Sequence, residues 1–156
     1  MGDEIQEVYE PHILGCNWAA STSDIKELGG FDENYGPGSG AAGQEGDMQM
    51  RLINDGVQGY YLPDAAVWHF VEKGRCTPEW SLSYAKKHGV THGRWCNDPK
   101  LPILKMPGWV LKKLIKDVFI FFIRNCNLLC DRTKQFESKY RLIQTLSMVK
   151  TIRKNQ

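Results

Sequence analysis

The sequence has no Cys-x-x-Cys pair, no internal repeat and no apolar stretch near the roughly 20 residues that a bilayer-spanning helix needs. Its longest apolar run is residues 118–123. Its five cysteines, Cys16, Cys76, Cys96, Cys126 and Cys130, are odd in number, and their spacing does not suit a zinc site. No secretory leader precedes them, so a reduced, cytoplasmic setting is the expectation. With 42% hydrophobic and 24% charged residues, the composition fits neither a disordered chain nor a multi-pass membrane protein. A chain of 156 residues can bury a core without a disulfide or metal staple.

The charge that is present is unevenly spread. From Lys105 onward there are 12 Lys and Arg against 3 Asp and Glu, a net +9, whereas residues 1–104 hold 8 against 15, a net −7. The expected division is therefore an acidic body, residues 1–104, and a basic helical tail, residues 105–156.

Local signals divide the body further. The opening MGDEIQEVYEPH is polar and patternless, and ILGCNWAAS reads as a short strand entering a loop. STSDIKELGGF reads as a short helix, with Ser21 or Ser23 as N-cap and Gly29–Gly30 as terminator. DENYGPGSGAAG is a loop by its glycine and proline content. QEGDMQMRLINDG has a helical period with Met48, Leu52 and Ile53 on one side and Gly56 as its stop. VQGYYLPDAAVWHFV reads as two strands broken at Pro63. The next helix has Thr77 as N-cap, Pro78 at its first position and Gly89 as its stop. In the tail, GWVLKKLIKDVFIFFIRNCNLLC sets Val110, Leu111, Leu114, Ile115 and Val118 against Lys112, Lys113 and Lys116, and a last helix spans about residues 134–152. The fold class expected is mixed α/β, with short strands and a helical C-terminal tail.

Residues two apart on a helix project about 200° from each other, so Glu45 and Asp47 point in different directions. Asp47 stands four residues before Arg51, the spacing of a helical ion pair. Glu45 shares its side with Met48 and Leu52. A carboxylate there, beside a glycine-rich loop, is either a simple helix-dipole acid or a base that takes a proton from a hydroxyl. His69 is either a structural histidine or a ligand for a divalent metal. Asn17 either caps a loop or binds sugar hydroxyls. Trp18, Trp68 and Trp80 offer a sugar platform, although at least two of them are expected in the core.

The order of these pieces resembles the C-terminal half of an inverting GT-A glycosyltransferase of family 2. GCNWAAS (15–21) resembles the family's G-x-N-x-A segment, and GGFDENYG (29–36) its G-G-F-D-E-x-F stretch. GQEGDMQMRL (43–52) resembles its G-x-E-D-x-D-L-x-x-R-L helix, and YYLPDAAVWH (60–69) its Y-x-P-x-A-x-V-x-H strand pair. The resemblance covers about residues 13–95.

It implies a partial GT-A fold, with residues 1–104 as the acceptor-side half. Glu45 falls where the family places the carboxylate that deprotonates the acceptor hydroxyl. Most members have aspartate there after a glutamate, where this chain has Gln44–Glu45. Asn17, Trp18, Gln44 and Asp47 are implied substrate-binding positions. His69 is the implied metal ligand, for a Mn or Mg cation expected in the complete enzyme. The implied substrates are a nucleotide-sugar and a saccharide or lipid-linked acceptor. The family's nucleotide-binding half and its Asp-x-Asp motif have no counterpart in this sequence, so the chain alone is expected to transfer no sugar. The face meant for that half, including Ile13, Leu14 and Trp18, is expected to be apolar and to favour a homo-oligomer.

The alternative reading is a non-catalytic module that uses the basic amphipathic tail on a membrane surface, as a peripheral protein, or on another protein. Nucleic acid is not an expected partner, because Phe119, Phe121 and Phe122 sit in an apolar run instead of alternating with Lys and Arg.

Overall fold

The structure, a computed structural model, describes residues 4–9, 15–98, 101, 104–126 and 131–154. Two compact units emerge, residues 1–39 with 43–71 and residues 40–42 with 72–156. The division by charge is sharper than the one expected at residue 104. The first unit has 2 Lys and Arg against 12 Asp and Glu, a net −10, and the second 18 against 6, a net +12.

In the first unit, strand β1 (Gln6–Val8) pairs antiparallel with β2 (Gly59–Tyr61), in the register Gln6 to Tyr61 and Val8 to Gly59. The segment that looks patternless in sequence thus holds a strand, because its partner lies some fifty residues away and leaves no local signal. Helix α1 (Thr22–Glu27) ends as expected at Gly29 and Gly30, both with positive φ. Helix α2 (Gln44–Asn54) starts from a left-handed Gly43 and buries Met48 and Leu52. It stops at Gly56 (φ +89°), where the Val57 and Gly56 N–H groups return to the Leu52 and Ile53 carbonyls.

Two strands expected around this sheet are not found. Residues 65–69 form no ladder, and Trp68 and Phe70 stand fully or largely exposed. Residues 15–17 form a turn and bend and residues 18–20 have no regular structure, while Ile13 and Leu14 lie outside the described residues.

The second unit is helical: a 3₁₀ turn at Lys73–Arg75, α3 (Pro78–Trp95), α4 (Gly108–Cys126) and α5 (Arg132–Lys154). Helix α3 starts where expected, with Thr77 Oγ1 accepting from the Trp80 N–H and Pro78 at the first position. It does not stop at Gly89. It continues to Trp95, because Gly89 and Gly93, four residues apart, let α5 approach closely: a Cβ on Gly89 would meet the Gln144 carbonyl oxygen, and one on Gly93 would lie 2.6 Å from Thr151 Cβ. This packing places α3 with α4 and α5 in the second unit. The core of the unit is Met106, Val110, Met148, Val149 and Ile152. The buried Asp117 carboxylate is satisfied by Lys113 Nζ at 2.8 Å and Thr145 Oγ1 at 2.7 Å.

One face of α3 carries a ladder of rings. The Arg75 guanidinium lies 4.8 Å over Trp80, Trp80 stacks on Tyr84 at 4.8 Å, and Tyr84 meets His88 edge-on at 4.5 Å. His88 and His92 follow at 6.2 Å, with Trp95 beyond them. Burial lowers the pKa of both histidines; His92 lowers His88 further, and Lys113 lowers His92. The unfolded chain therefore takes up protons at a higher pH than the fold does. The histidines' contribution to stability is full above about pH 6.5 and is lost as pH falls through that value toward the folded pKa values. The urea midpoint of the helical unit should fall from about pH 7.5 to about pH 5.5. Replacing both histidines with Gln should flatten that fall, and a midpoint that held or rose on acidification would contradict this linkage.

Candidate functional site

Four segments separated in sequence meet in the first unit. Arg51, in the last turn of α2, donates to the Asp47 carboxylate at 2.9 Å, to the Leu28 carbonyl at 2.9 Å and to the Gly30 carbonyl at 2.8 Å. Its guanidinium fork ties α2 to the chain leaving α1. Trp18 packs edge-on against Phe31 at 6.2 Å. Asn17 Nδ2 donates to the Ala65 carbonyl at 2.6 Å and so joins the Gly-Cys-Asn turn to the segment after Pro63. Glu45 lies over the backbone of Gly15, where a Cβ would sit 2.7 Å from the Glu45 carboxyl carbon. Gln44 covers Gly36 in the same way, with its Oε1 2.7 Å from that residue's Cβ position.

The two acids of α2 therefore differ in kind. Asp47 is taken up by Arg51, its side chain 14% exposed, and helps to hold the site together. Glu45 is half-buried in the first turn and makes no side-chain hydrogen bond or ion pair among the described residues.

Along the same face of α2, starting one turn below Glu45, is a cavity of about 370 Å³. Trp18, Ser21, Asp24, Gln49, Leu52 and Tyr60 contribute to its lining. Asp24, Ser21 and Tyr60 are lining residues that sequence reasoning did not connect with one another. Ser21 and Asp24 lie at the start of α1 and Tyr60 lies in β2, and only the fold brings these two segments together. Gly15 was visible only as part of a motif; its value is the space it leaves for Glu45.

The remaining expected residues are more dispersed. His69 is exposed. Among the described residues no group of three or more His, Cys, Asp or Glu is placed to hold a metal ion. None of the three tryptophans is fully buried, contrary to the expectation that two are core. Trp18 and Trp80 are half-buried, Trp68 is open, and Trp80 belongs to the helical unit.

Comparison with protein-family models, with curated proteins and with solved structures gives no match.

Proposed function

We propose that residues 1–104 are the acceptor side of an inverting GT-A glycosyltransferase of family 2, with Glu45 as general base. The observation that carries this reading is the convergence of the four motif segments. Gly15 meets Glu45, Asn17 meets Ala65, Trp18 meets Phe31 and Arg51 meets Gly30. These contacts join the four motif segments within one unit, with Glu45 packed on the first of them.

In the reaction, the acceptor hydroxyl gives its proton to a Glu45 carboxylate oxygen as its own oxygen attacks the anomeric carbon of the donor. The bond to the nucleotide diphosphate breaks on the opposite side, which inverts the configuration. The absence of a side chain at Gly15 lets Glu45 reach this position, and Gln44 is seated over Gly36. Arg51 and Asp47 fix the pitch of α2. Asn17, held by Ala65, and Trp18 border the acceptor, a saccharide or a lipid-linked sugar. A divalent cation belongs to the same proposal, with His69 as its candidate ligand among the described residues.

Donor binding falls to a nucleotide-binding half whose Asp-x-Asp motif this sequence does not contain. Calorimetry of residues 1–156 with UDP, GDP and dTDP in the presence of Mn²⁺ should give no binding heat. A micromolar dissociation constant, about −8 kcal/mol, would mean that this chain builds its own donor site and would overturn the acceptor-side assignment.

A further inference from the structure

Helix α4 has two apolar faces, of which the fold uses one. Val110 is fully buried, Leu111 and Leu114 pack against the same core, and Asp117 is turned inward to Lys113 and Thr145. On the opposite side Ile115 (61% exposed), Phe119 (64%), Phe122 (60%) and Ile123 (51%) are open to solvent. At about 100° per residue these four fall within an arc of about 100°, with Lys112 and Lys116 at one edge of it. Both lysines are exposed and make no ion pair among the described residues. The expected division into a lysine face and an apolar face is thus replaced by a mixed outward face, because Lys113 turns inward to neutralise Asp117.

We infer that this outward face of α4 is a docking surface for an anionic membrane. Two exposed phenylalanines and two isoleucines in one stripe are the apolar wedge of an interfacial helix. Flanking lysines can lay their stems along it and keep their charges at headgroup level. Charge selects the occupant. The stripe stands on a unit of net +12, which attracts a leaflet rich in acidic lipid. The helix lies in the interface and does not cross it: among the described residues no helix is long and apolar enough to span a membrane. This inference is independent of the role given to Glu45.

The test is flotation of the full chain with phosphatidylcholine vesicles, with and without about 30% phosphatidylserine, at low and raised salt. The chain should float with the anionic vesicles at low salt and lose most of that binding in salt or on neutral lipid. Phe119→Ser combined with Phe122→Ser should weaken partitioning about tenfold or more with unchanged helical circular dichroism, since both side chains are solvent-exposed in the fold. Lys112→Glu with Lys116→Glu should weaken anionic binding by a similar factor without touching the core, and serves if the phenylalanine variant does not fold. The inference is overturned if the chain stays unbound on anionic vesicles or if both double variants partition like the parent. It is also overturned if sedimentation without lipid shows a dimer that the phenylalanine variant converts to monomer, because the face would then belong to a second copy.

Discussion

Replacing Glu45 with Gln should lower sugar transfer by roughly 10²–10⁴-fold and leave donor affinity unchanged, in a protein that joins residues 1–156 to a nucleotide-binding half. Gln keeps the length and packing of Glu45 over Gly15 and removes only the capacity to accept the acceptor's proton. The loss should therefore fall on turnover. Glu45→Asp should keep more activity than the Gln variant, since the carboxylate remains and only its reach shortens. Gly15→Ala tests the geometry separately. The new methyl would collide with the flexible end of Glu45, not with backbone, so the fold should tolerate it while the displaced carboxylate loses turnover. Near-parental turnover in the Glu45→Gln variant would remove Glu45 from the role of base. Loss of donor affinity together with turnover would point instead to a structural role for α2.

The second large effect concerns stability, with a sign opposite to that expected of a surface helix. In an exposed helix interior, glycine to alanine is worth about 1 kcal/mol in favour of the helix. At Gly89 the added methyl meets the Gln144 carbonyl oxygen of α5 and lies 2.7 Å from Ser147 Cβ. A backbone carbonyl cannot rotate aside as a side-chain tip can, so α5 must move away along its length. Gly89→Ala should destabilise the helical unit by about 2–4 kcal/mol, net of the propensity gain. Gly93→Ala, facing Thr151 Cβ at 2.6 Å and the Met148 carbonyl at 2.8 Å, should act in the same direction. Urea unfolding followed by circular dichroism measures both, and a raised midpoint for Gly89→Ala would show that the helices are not in contact there.

Gly89 also shows where sequence reading stops. As a residue type at the end of a run of Lys86, Lys87 and His88, it carries every mark of a helix terminator. It is nevertheless a contact residue, because α5, some fifty-five residues later, needs the space.

The features legible from sequence are those whose partners lie within about four residues. The Thr77–Pro78 start of α3, the Gly56 stop of α2, the Gly29–Gly30 stop of α1 and the Asp47–Arg51 ion pair all follow from hydrogen bonds and charges one helical turn apart. The separation of Glu45 from Asp47 was legible for the same reason, being a matter of helical angle alone. The sequence by itself thus determined where most of the helices begin and end and which acid of α2 is left without a local partner. Only the tertiary structure decided that β1 pairs with β2, that residues 65–69 are not a strand, that α3 belongs with α4 and α5, and which face of α4 is covered. Each of these depends on a surface supplied from tens of residues away, where packing and shared hydrogen bonds outweigh local propensities of a few tenths of a kcal/mol per residue.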